Sequence, residues 1–185
     1  MLGKRTKNCK ARERKHYLAI LLIMAFLLIL LDGQDSSMMA QETGSNGNPA
    51  KVTASSTMKP PYGPESLLVG NVPWHAQSPP KFPEWVEVVY KKPVVATELA
   101  MQAQGCQPAR CANRAPKSFI FQGSMDGRGW SDLLTVNNAG YTDEGQWLKW
   151  PLHGGKAYTT YRVLVKSNNG DQSYLTLQSL KITTK

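Results

Sequence analysis

From residue 84 onward, apolar and polar positions alternate in short runs that are separated by Pro, Gly and Asn. In residues 117–132, KSFIFQGSMDGRGWSD, Phe119 and Phe121 point one way and Ile120 and Gln122 the other, the period of two that marks a strand with a buried face. Asp126-Gly127 and Gly129 tolerate positive φ, so the chain reverses there and brings Trp130 back against the strand as a core aromatic. The same alternation sets Tyr161, Val163 and Val165 against Arg162, Leu164 and Lys166, and Leu175, Leu177 and Ser179 against Thr176, Gln178 and Leu180. Strands are predicted at residues 85–90, 94–102, 118–122, 147–152, 160–165 and 174–182, with Lys91-Lys92-Pro93 as a solvated turn. Trp147 and Trp150 fall on opposite faces, so at most one enters the core. No stretch after Lys51 has helical periodicity, and the imperfect second faces predict corners where strands change sheet. The pattern predicts an all-β jelly roll or sandwich.

Near the N-terminus the pattern changes. Residues 17–31 are an unbroken apolar run, preceded in 1–16 by seven basic residues and one acid. This is a signal-anchor or a signal-peptide helix. Its reach of about 22 Å falls short of a hydrocarbon core and favours cleavage. The long basic segment, and Met38 where a cleavage site after Ala40 wants a small residue, favour an anchor. Either way the basic end stays in the cytoplasm and the rest crosses, giving a single-pass membrane protein with its C-terminal domain outside, or a secreted one. Residues 32–57, rich in Ser, Gly, Asn, Gln and Thr without an aromatic, read as a flexible linker, which leaves 58–185 as the domain.

Charge and cysteines narrow the chemistry. Residues 51–185 carry 15 basic and 9 acidic residues, a net +6, with no basic run longer than Lys91-Lys92, which argues against nucleic acid. Cys106 and Cys111, five apart on the exported side, predict a local disulfide; two thiols with no His or carboxylate nearby make an incomplete zinc set. No G-x-S-x-G elbow, H-E-x-x-H helix or obvious carboxylate pair supports catalysis.

Six segments resemble the discoidin family, the coagulation factor 5/8 type C domains of the galactose-binding-like superfamily, in that family's order. They are VTASS at 52–56, SLLVGN at 66–71, PWHAQ at 73–77, EWVEVVYKKPVVATELAMQAQ at 84–104, KSFIFQGSMDGRGWSDL at 117–133 and TYRVLVKSNNGDQSYLTLQSLKI at 160–182. The resemblance begins near residue 51 and implies a β-sandwich whose loops at one end bind sugars, phospholipids or proteins. This chain departs from it at Val69 and Ser179, where relatives usually have acids. Those departures argue against a strong calcium site and for no cofactor, with weak structural calcium held by carbonyls left open. The Cys106/Cys111 loop is an addition whose role the resemblance does not supply.

Trp74-His75 matches the Trp-His pair that sugar-binding relatives carry at the ligand end. A sugar stacks its C–H faces on aromatic rings and offers hydroxyls to planar polar groups. His75 therefore stands as a hydroxyl reader beside Trp74, Arg110 or Arg114 as a forked donor, and Asn137 or Asn138 with Tyr141 as the closing side. The resemblance gives Arg162 a structural role. The reading is a non-catalytic extracytoplasmic module for glycans. Its alternatives are anionic membranes met through Met58, Tyr62 and Phe82, and a protein-interaction or adhesion module.

Overall fold

The computed structural model describes residues 47–106 and 111–185, and its strands form two main antiparallel sheets and one short pair. The segments 1–16 and 17–31 and most of the expected linker lie outside the described residues. Among the described residues no helix is long and apolar enough to cross a membrane. The strands are β1 (Pro49–Ala54), β2 (Trp74–His75), β3 (Glu84–Val94), β4 (Ala96–Gln102), β5 (Pro116–Ser124), β6 (Ser131–Val136), β7 (Trp147–Pro151), β8 (Tyr158–Asn168), β9 (Thr176–Leu177) and β10 (Ser179–Thr184). Short 3-10 turns occupy Pro64–Leu68 and Cys111–Arg114. The large sheet runs β1-β3-β8-β5-β6, the smaller β10-β4-β7, and β2 pairs with β9. The all-β sandwich expected from the alternation is present.

Alternation sorts the side chains. Val86 and Val88 of β3, Phe119 and Phe121 of β5, and Tyr161, Val163 and Val165 of β8 are buried, and they meet Leu99, Met101 and Leu180 of the facing sheet. Phe119 packs edge-on against Trp150 at 5.1 Å across the two sheets, while Phe121 stacks on Tyr161 at 5.4 Å. The chain changes sheet between β3 and β4. There the Tyr161 hydroxyl donates to the Val94 carbonyl at 2.6 Å and accepts from the Ala96 N–H at 3.0 Å, so one side chain pins the corner.

The β5–β6 hairpin reverses as its sequence requires. Gly127 has φ of +70°, and the Asp126 carboxylate accepts the N–H groups of Arg128 and Gly129 at 2.9 and 3.0 Å. Trp130 does not enter the core. It is half-buried, with the Arg162 guanidinium 3.8 Å above its ring. Arg162 donates from Nε and Nη2 to Gln122 Oε1 and pairs with Glu87 at 3.7 Å, the structural role expected of it.

Three further expectations are corrected. The linker does not run to residue 57, because residues 49–54 form an edge strand against residues 86–90 of β3. Lys91-Lys92-Pro93 is an exposed irregularity within β3 rather than a turn, since pairing with β8 skips from Val89 to Val94. The strand expected at 174–182 is two strands, because β9 joins β2 while β10 joins β4. Trp147 is the exposed tryptophan of its pair, 42% accessible, and Trp150 is the one packed inward.

Candidate functional site

The short β2–β9 pair builds one corner of the domain. Register sets Trp74 opposite Leu177 and His75 opposite Thr176. Alternation then sends Trp74 and Leu177 into the core, and His75 and Thr176 to the other face. That face is covered as well. Residues 58–62 wrap over it, with the His75 N–H donating to the Tyr62 carbonyl at 3.3 Å and the Met58 N–H donating to the His75 carbonyl at 3.0 Å. The Tyr62 ring lies 4.4 Å from the imidazole, and Tyr174 meets it edge-on at 6.2 Å.

His75 is thereby only 6% exposed, and neither ring nitrogen has a hydrogen-bond partner among the described residues. The hydroxyl of Thr176, its cross-strand neighbour, is buried and unpartnered too. Each such atom carries a desolvation cost of about 1–3 kcal/mol while it stays unpaired, so the three call for a water or another polar partner. Burial, with a smaller contribution from the positive charge of Arg114, pushes the imidazole down to about 4. At neutral pH it is an uncharged donor-acceptor.

Arg114 ends the Cys111–Arg114 turn beside this spot. Its Nε donates to Asp171 Oδ2 at 3.2 Å, and its guanidinium lies 4.5 Å over the Tyr174 ring. The two terminal nitrogens take no partner among the described residues. Asp171 Oδ1 accepts the N–H groups of Ser173 and Tyr174 at 2.8 and 2.9 Å, fixing the turn that presents Tyr174. Burial alone would raise the Asp171 carboxyl, but those N–H groups and Arg114 hold it below its usual range. The site thus sets a guanidinium fork and two tyrosine rings around a neutral imidazole that Tyr62 covers.

The residues expected from the sequence separate. His75 and Arg114 come together. Trp74 is fully buried, and its Nε1–H donates to the Ser56 carbonyl at 3.1 Å, so it supports the site from below. Tyr141 does not close the site: it packs with Ala103 and Ala115 in a second small core and spends its hydroxyl on the Met101 carbonyl at 3.1 Å. Asn137 and Asn138 are exposed after β6, and among the described residues neither hydrogen-bonds to the His75 ring or the Arg114 side chain. Arg110 lies outside the described residues. Asp171, Tyr174 and Thr176 were not anticipated as site residues, and Tyr62 was expected only as a membrane contact in the alternative reading. The one available signal was the polar-aromatic run at 168–174, NNGDQSY. The Cys106–Cys111 disulfide is formed, with Cα atoms 5.8 Å apart.

The loop resembling a calcium-binding turn is closed by side chains. Ser179 Oγ donates to the Leu67 carbonyl at 3.1 Å and Gln178 Nε2 to the Gly70 carbonyl at 2.7 Å, while Val69 is 73% exposed.

The F5/8 type C domain model matches residues 51–178. The chain belongs to that family. No curated protein matches it. Among solved structures, this F5/8 type C domain resembles chitosan-binding module 2 of a Paenibacillus sp. IK-5 chitosanase/glucanase, in complex with chitotriose. The TM-score is 0.59 at 10% identity, over 74% of this chain and 97% of that one. The CpGH89CBM32-5 module of Clostridium perfringens, in complex with GalNAc-β-1,3-galactose, gives 0.57 at 13% identity over 71% and 93%. The CBM32 of AlyQ, in complex with 4,5-unsaturated mannuronic acid, gives 0.58 at 12% identity over 74% and 95%. These likenesses place the F5/8 type C domain on the fold of carbohydrate-binding modules.

Proposed function

We propose that the domain is a non-catalytic carbohydrate-binding module, displayed outside the cytoplasm, that takes a sugar where Tyr62, His75, Arg114 and Tyr174 meet. The observation that carries this reading is the buried imidazole with two unpartnered nitrogens, next to the unpartnered Thr176 hydroxyl and an open guanidinium fork. A sugar matches both halves of that set: its C–H face rests on the tyrosines and its hydroxyls pair with the fork. His75 lies beneath Tyr62, so a sugar hydroxyl reaches the imidazole once that ring swings off it. The relatives' three complexes hold chemically different saccharides, which supports the ligand class and leaves the sugar itself open.

Two observations support binding without catalysis and outside the cytoplasm. The carboxylate at the site, Asp171, is committed to Arg114 and two backbone N–H groups, whereas glycoside hydrolysis needs a pair of free carboxyls across the bond. The disulfide and the basic-then-apolar start of the chain suit an exported protein. Of the three residues a membrane reading would insert, Tyr62 covers His75 and Met58 is half-buried, which leaves Phe82 alone exposed. A single small site binds modestly, and display of many copies supplies avidity. The test is a glycan array with the full-length protein, including chitotriose, GalNAc-β-1,3-galactose and 4,5-unsaturated mannuronic acid, alongside anionic liposomes. Binding to a saccharide supports the reading; a blank array with bound liposomes overturns it.

A further inference from the structure

The turn that carries Arg114 is held from behind by groups that face no ligand. Cys111, its first residue, is fully buried and bonded to Cys106, just beyond the end of β4. Glu144, in the loop before β7, reaches between the two: Oε2 accepts the Cys106 N–H at 2.9 Å and Oε1 accepts the Ala112 N–H at 3.2 Å. One carboxylate and one disulfide therefore clamp the same turn to the end of β4. The turn is in turn the support for the rest of the site. The Asn113 carbonyl accepts the Asp171 N–H at 3.2 Å, the Ala115 carbonyl accepts the Asn169 N–H at 2.9 Å, and Asp171 holds Arg114.

We infer that the Cys106–Cys111 disulfide and Glu144 are positioning residues for Arg114, keeping its guanidinium over Tyr174 and beside His75, so that opening the disulfide loosens the sugar site without unfolding the sandwich. Cys106 and Cys111 lie outside the main core, and a five-residue separation closes a short loop whose contribution to global stability is about 2 kcal/mol, a loss that lowers the midpoint without removing the core. A guanidinium with a single directional contact to Asp171 drifts when its turn drifts. A clamp that sets geometry is also consistent with Glu144 being spent on two N–H groups. Only the consequence for sugar affinity rests on the carbohydrate reading.

The experiment compares full-length wild type with Cys106→Ser/Cys111→Ser, Glu144→Gln and wild type in dithiothreitol. In the last, one dithiothreitol gives two electrons and two protons to the disulfide, leaving two thiols and its own cyclic disulfide. Three readouts are taken: the thermal midpoint, affinity for chitotriose and GalNAc-β-1,3-galactose, and the NMR pH titration of the His75 imidazole. The expected result is a retained cooperative melt, affinity about tenfold weaker from loss of a charge-assisted contact, and a His75 titration moved to higher pH as the neighbouring cation leaves. Unchanged affinity and an unmoved His75 titration in a folded variant would overturn the inference. If wild type binds neither saccharide, the carbohydrate reading loses support while the His75 titration still decides the positioning role. If the double variant does not fold, Glu144→Gln and reduced wild type decide it.

Discussion

Lowering the pH from 7 to 5 should destabilise the domain through one residue, His75. Burial and the Arg114 charge hold its folded-state value near 4, against 6.5 for a free imidazole. Between those values the unfolded chain binds a proton that the folded chain refuses, so stability rises with pH across the window. The contribution is fully present above about 6.5 and is lost as pH falls towards 4. Taking both values, the loss between pH 7 and 5 is about 2 kcal/mol, or about 6 °C in midpoint for a domain of this size. His75→Gln removes the titration and keeps a polar side chain of similar length. Thermal melts of full-length wild type and His75→Gln at pH 7 and 5 give the double difference, in which carboxylates common to both cancel. A wild-type midpoint that falls about 6 °C further than the variant's is expected. Equal falls would refute the reasoning, because a solvated or paired imidazole loses nothing in that window.

Three other outcomes follow from the fold. Excess EDTA should leave the midpoint within about 1 °C, because Val69 and Ser179 supply no carboxylate and the Leu67 and Gly70 carbonyls already accept hydrogen bonds from Ser179 and Gln178 respectively; a clear drop would reveal a structural cation. Arg162→Ala should cost about 2–3 kcal/mol in urea unfolding through its bonds to Gln122 and its cover over Trp130, and should leave saccharide affinity unchanged. Gly123→Ala should cost about 1–3 kcal/mol, since an added Cβ would stand 2.5 Å from the Tyr158 ring; a neutral effect would mean that this ring is free to move.

How far each element could be read depended on where its determinants lie. The alternation at 117–122 and the Asp-Gly reversal are local, and they produced β5 and its turn as drawn. β1 was hidden because PAKVTA is an edge strand with little buried surface of its own, and β3 supplies its pairing. Trp130 was misplaced for a related reason: the alternation cannot foresee that Arg162, 32 residues on, provides it with a polar partner outside the core. The site divides the same way. The resemblance supplied His75, and residue chemistry supplied Arg114. The cover of Tyr62, the orphan hydroxyl of Thr176 and the bracing by Asp171 arise from pairing β2 with β9, and two-residue strands have no period to detect. Tyr141 looked like a closing residue because its place in a second core is set by contacts with Ala103 and Ala115.

The central claim is that a sugar binds between His75 and Arg114. Calorimetric titration of saccharides selected on the array into full-length wild type, His75→Ala and Arg114→Ala tests it most directly. Saturable wild-type binding to at least one saccharide, weakened at least about tenfold by Arg114→Ala and by His75→Ala with the melt preserved, is the predicted result. Wild-type binding that both substitutions leave intact, or no saccharide bound at all, would contradict it.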